Sequence, residues 1–129
     1  MAFFSFPKSA RIGKKRFFEY IFENGKKNSH KNLAMWHIVL SAEASALLKE
    51  QPDSKKMAVM ASRKLGNAVR RNRVKRIIRE AYRLQKHRIT GGVCMIIYPL
   101  KNCKLESTTE AAEELEFLWR KAKILKDEK

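Results

Sequence analysis

The longest apolar stretch of the chain, VCMIIYPL, lies around Val93 to Leu100. A membrane-spanning helix needs about 20 such residues, so this run has to be covered by the protein itself. Gly91-Gly92 turns the chain into it and Pro99 helps to end it, which predicts a strand over Val93 to Tyr98. A strand needs neighbours. Leu33 to Leu40 (LAMWHIVL) reads as one, with Ala34, Trp36, Ile38 and Leu40 on a single face, and Met57 to Ala61 as a shorter one.

Helical patterns surround these strands. Phe17, Phe18, Ile21 and Phe22 recur at helical spacing within Lys14 to Asn24, and Gly25 is placed as the stop. Asn67 is a candidate N-cap for a long helix reaching about His87 or Arg88, with Val74, Ile77, Ile78 and Ala81 as its apolar stripe. The last helix opens on the capping box Ser107-Thr108-Thr109-Glu110 and is expected to bury Ala111, Leu115, Leu118, Trp119 and Ala122. Between Ala42 and Lys55 the expectation is a polar connection, with room for one helical turn, broken by Pro52-Asp53. The order predicts an α+β fold: an α–β sandwich in which a mixed sheet is packed with three helices. At 129 residues the chain reads as one domain, 1–129, able to bury a modest core without metal or disulfide.

Charge speaks to partners. There are 29 Lys and Arg against 13 Asp and Glu, a formal net charge of +16. Nucleic acid or an anionic membrane would match it. No apolar segment favours the membrane, and the start MAFFSFPKSARIGKKR makes a poor secretory signal. Cys94 and Cys103 lack the spacing of a redox pair or a zinc site, so reduced thiols in a cytoplasmic protein are expected.

The charges are arranged differently on two helices. In the last, Glu110, Glu113, Glu114 and Glu116 precede Arg120, Lys121, Lys123 and Lys126, which matches the helix macrodipole at both ends. The middle helix opposes its dipole. From Arg63 to Arg88 there are eleven Lys or Arg and one acid, Glu80. Asn72, Lys75, Arg76, Arg79, Arg83 and Lys86 fall opposite the apolar stripe, while Arg70 and Arg71 lie nearer its edges. A solvated basic face would usually explain such a run. Here no neighbouring acid neutralises it, so an anionic partner is expected to supply the countercharge.

The segment ASRKLGNAVRRNRVKRIIREAY resembles the signature of the bacterial ribonuclease P protein subunit: a Gly-Asn turn followed by Arg-Asn-Arg, here Arg71-Asn72-Arg73. FPKSARI near the start, the aromatic first helix with Gly25, and the strand bearing Trp36 extend the resemblance over most of the chain. It implies a left-handed strand–helix–strand crossover, against the general right-handed preference. It also implies a small basic subunit bound to a catalytic RNA, together removing the 5′ leader from precursor tRNA. Contact with the catalytic RNA would fall to Arg63, Lys64, Asn67, Arg70, Arg71, Asn72, Arg73, Lys75, Arg76 and Arg79. The single-stranded leader would lie in a cleft at Phe18, Phe22 and Trp36, where stacking on rings and a basic groove suit single-stranded RNA. From spacing alone those rings could equally be core, and which of Phe17 and Phe18 faces the cleft stays open.

No catalytic residue or metal ligand set is expected in the protein. His30, His37 and His87 are scattered, and no Gly-rich phosphate loop occurs. The resemblance implies Mg2+ held mainly by the RNA subunit and the substrate, activating water for phosphodiester hydrolysis. DNA is not an expected partner, because a long basic helix beside a strand is not a helix-turn-helix. The alternative function is a small basic ribosomal or ribosome-assembly RNA-binding protein without a role in cleavage.

Overall fold

The computed structural model describes residues 15–126. Lys14 and the FPKSARI segment lie outside them. The order is α1 (Lys15–Asn24), β1 (Lys26–Ser29), β2 (Leu33–Val39), α2 (Ala42–Leu48), β3 (Lys56–Val59), α3 (Ala68–Gln85), β4 (Val93–Pro99) and α4 (Thr108–Ala122). The sheet runs β1-β2-β4-β3. β1–β2 and β2–β4 are antiparallel, and β3–β4 is parallel. The mixed α+β sandwich is therefore as expected, with α3 crossing between the two parallel strands.

β4 explains why its sequence is apolar without alternation: Val93 through Ile97 are all at 1% exposure or less because helices cover both sides. On one side Leu33, Met35, Met57, Val93, Met95 and Ile97 pack against α3 and α4, including Tyr82 and Trp119. On the other, Ile38, Leu40, Cys94 and Ile96 pack against Phe17 and Ile21 of α1 and Ala44 and Leu48 of α2. Burying an aliphatic side chain of this kind contributes roughly 1.5–3 kcal/mol.

Two elements depart from the expectation. The connection after Leu40 contains a full helix rather than a single turn, so there are four α-helices among the described residues and not three. Ser41 Oγ accepts the Ala44 N–H at 3.0 Å, and Ala44, Ser45 and Leu48 are buried beneath the sheet. β1, KKNS, was missing from the sequence reading because four polar residues carry no period-two apolar signal. Its register on β2, Lys26 opposite His37 and Lys27 opposite Trp36, is set by the Gly25 turn. Gly25 donates its N–H to the Ile21 carbonyl at 2.7 Å, closing α1 as expected. A Cβ at Gly25 would meet that same carbonyl oxygen and lie 2.8 Å from the His37 oxygen. No described helix is long and apolar enough to cross a membrane.

Candidate nucleic-acid interface

Two surfaces carry the residues singled out by sequence. The first begins at Gly66. Asn67 Oδ1 accepts the Arg70 N–H at 2.9 Å, so its side chain is committed to capping α3. The basic end of the helix then divides in two. Arg70 donates to the Cys103 carbonyl at 2.8 Å and reaches the Leu105 carbonyl at 3.5 Å, tying α3 to the loop between β4 and α4. Arg71 donates to the Gly66 carbonyl at 2.8 Å and braces the turn. Both are half-buried. Asn72, Arg73, Arg76 and Arg79 are exposed, as are Arg63 and Lys64 on the 3-10 turn before the helix, and Lys75 is half-buried. Among the described residues, this second group has no side-chain hydrogen bond to the backbone of the turn or the β4–α4 loop of the kind that holds Arg70 and Arg71.

A countercharge arrives from a distant part of the sequence. Glu106 lies 3.4 Å from Arg73 and 3.8 Å from Arg70, so the N-terminal end of α3 is not wholly without acids. The pairing is exposed and weak, worth about 0–1 kcal/mol. Glu80, the acid within the basic segment, bonds Arg83, which holds its carboxyl below the usual range.

The second surface lies where α1 leaves part of the sheet uncovered. Phe17 and Ile21 point into the core, at 3% and 0% exposure. Phe18 is half-buried against the same cluster, and Phe22, one turn on, is 38% exposed. The Phe22 ring meets Trp36 edge-on, with centroids 5.5 Å apart at 77°. Trp36 Nε1 donates to Tyr98 Oη at 3.1 Å. Phe22, Trp36 and Tyr98 line one hollow of about 370 Å3 with Met60, Ala61, Ser62 and Pro99. Lys27 Nζ stands 5.9 Å from the Trp36 ring and 5.8 Å from the Tyr98 ring. The site is an aromatic trough with an ammonium at its lip.

Sequence reasoning named Phe18, Phe22 and Trp36 for this trough. The structure joins Phe22 and Trp36 directly, and Phe18 sits beside them rather than in the lining. Tyr98, Met60 and Lys27 were missed. Tyr98 shares the face of Trp36 because Ile96 pairs with Trp36 and Ala34 with Tyr98. The alternation was readable along β4; the register was not. Lys27 was out of reach because β1 was. Among the described residues no three His, Cys, Asp or Glu side chains come together as a metal site.

A family model described as Ribonuclease P matches residues 6–123. The chain is 31% identical to a ribonuclease P protein component of Dictyoglomus turgidum, over 98% of this chain and 99% of that one. It is 30% identical to that of Desulforapulum autotrophicum, over 94% and 95%. In solved structures it resembles the RNase P protein of Staphylococcus aureus, with a TM-score of 0.75, 28% identity, and 92% and 99% of the two chains covered. The RNase P protein of Thermotoga maritima superposes with a TM-score of 0.68 at 25% identity, over 84% and 93%.

Proposed function

The chain belongs to the ribonuclease P protein family, and from that membership we propose that it binds a catalytic RNA through α3 and the single-stranded leader of precursor tRNA through the aromatic trough. The observation that carries the second half is the Phe22–Trp36–Tyr98 lining with Lys27 at its lip. Every nucleobase has a π-face, so stacking there is sequence-tolerant and contributes about 1–3 kcal/mol per base. That tolerance suits a subunit serving many precursors. Lys27 adds a cation beside the backbone of a strand lying on the rings.

The exposed cations Arg63, Lys64, Arg73, Arg76 and Arg79 neutralise phosphates of the RNA subunit, with Lys75 beside them. Arg70, Arg71 and Asn67 act indirectly, by fixing the turn and the loop from which those cations project. Mg2+ supplies water activation when bound by the RNA and the substrate. Among the described residues no three His, Cys, Asp or Glu side chains gather to hold it without RNA, and no step is assigned to a protein-bound ion. The protein's part is to bind leader and to offset phosphate repulsion, lowering the Mg2+ concentration that cleavage requires.

The test compares a precursor bearing a 5′ leader with the mature tRNA. Trp36→Ala should weaken precursor binding by about 1–3 kcal/mol in the assembled enzyme and leave mature tRNA unchanged. An unchanged precursor-to-mature ratio, with the folded protein intact, removes the trough from the leader site. On the other surface, Arg73→Ala with Arg76→Ala should flatten the log–log salt dependence of RNA binding by about 1.4–1.8, two phosphate contacts' worth. RNA-free protein that cleaved precursor efficiently would overturn the whole assignment.

A further inference from the structure

A second hollow of about 600 Å3 lies at the β1 edge of the sheet, between β1, the end of β2 and the C-terminal end of α4. Lys26 and Lys27 enter it from β1, and Lys121 and Lys123 from α4; Asn28 and His37 also line it. None of the described residues lining it is acidic. The lysines of α4 alone would be explained by the dipole of their own helix. Lys26 belongs to a different element, and bringing its charge beside those of Lys121 and Lys123 is unfavourable unless an anion joins them, while the Lys27 ammonium stands over the Trp36 and Tyr98 rings. The His37 ring is 6% exposed, and its Nδ1 has no hydrogen-bond partner among the described residues. Burial, with Lys26 adjacent, keeps its pKa below 6.5. At neutral pH the ring is therefore an uncharged polar group beside the ammoniums.

Lys27 connects the two hollows without lining both. It stands over the Trp36 and Tyr98 rings of the trough and also lines the lysine-rich hollow. We propose that the two form one continuous path, and that the lysine hollow holds backbone phosphates of a single-stranded RNA whose neighbouring bases stack in the trough. This rests on the trough being the leader site and extends the leader's footprint over the β1 edge. The edge lies three strands from β3, about 14 Å at the usual strand spacing, so it is separate from the turn that leads into α3.

The test is binding of single-stranded RNA oligonucleotides of about 4 and about 12 nucleotides, a range that brackets common single-strand sites, to the full chain. The triple variant Lys26→Gln, Lys121→Gln, Lys123→Asn removes charge from exposed positions. Asn is chosen for Lys123 because that residue caps α4 with φ 60°, a conformation Asn tolerates. The expected result is about a tenfold loss for the long oligonucleotide, with the salt slope falling by about 1.4–2.1, and little change for the short one. Lys26→Arg with Lys121→Arg should retain the affinity. Equal effects on both lengths, or none on either, would overturn the continuous path. Trp36→Ala run in parallel separates the two ideas. If it weakens both lengths while the lysine variant weakens neither, only the extension fails. If it weakens neither, the trough itself is not an RNA site and the path falls with it.

Discussion

Trp119 and Trp36 sit on opposite sides of one sheet and have opposite fates. Trp119, on α4, is fully buried, edge-on to Tyr82 of α3 with centroids 6.2 Å apart, where the two long helices pack on the sheet. Trp36, on β2, is half-buried, because α1 and α2 are short and leave the sheet open beside Phe22 and Met60. The same residue type is structural where coverage is complete and available where it is not. Composition does not distinguish the two; the length of the helix overhead does.

The sharpest way to break this comparison is to truncate both rings. Trp119→Ala should cost about 3–5 kcal/mol of stability, measured by denaturant unfolding, with no preference among RNA ligands in the fraction that folds. Trp36→Ala should cost clearly less, about 1–2 kcal/mol, because part of its surface already meets solvent. Equal losses would place both tryptophans in the core.

The contrast extends to the arginines. Arg70→Ala should destabilise by about 1–2 kcal/mol, since the buried carbonyls of Cys103 and Leu105 lose their charged donor. Arg73→Ala should stay within about 0.5 kcal/mol, and its loss should register in RNA binding instead. A reversed order would mean that the loop does not depend on Arg70.

At neutral pH the smallest effect belongs to the closed interior of the sheet. Burial raises the Cys94 thiol from 9.0 to about 12. A group whose folded pKa is raised stabilises the fold below its unfolded value and loses that contribution as pH climbs. Stability should therefore be insensitive to Cys94 through pH 8 and decline between pH 9 and about 12. Cys94→Ala should remove that part of the decline. Thiol reagents at neutral pH should react with Cys94 only on unfolding.

Much of this was legible in the sequence. The apolar run of β4, the stripe of α3, the Asn67 cap and the Ser107 capping box are local signals, and each formed where its residues stand. β1 and α2 were not legible as elements. One is polar throughout, and the other is a short helix whose apolar residues look like a loop until the sheet buries them. The site followed the same rule. Phe22 and Trp36 are found by residue type, whereas Tyr98 and Lys27 join them only through strand register. Arg70 and Arg71 look like free cations in sequence because the carbonyls they hold belong to backbone, which every residue has. Glu106 lies outside the basic segment and meets it only once the β4–α4 loop is folded.

The strand order has a consequence for how such a chain behaves while it waits for RNA. The seven-residue strands β2 and β4 are interior, and both outer strands, β1 and β3, are four residues long, each beginning with lysine. A long flat outer strand would offer unpaired amides to another copy and seed edge-to-edge aggregation. Short borders make a poor template for that growth, and on β1 the exposed Lys26 and Lys27 add ammonium groups, whereas Lys56 on β3 is paired with Glu50 at 3.2 Å. On the β1 edge, the charge proposed to meet phosphate would thus also repel a second copy of the protein, so one feature would serve recruitment by RNA and oppose self-association outside it.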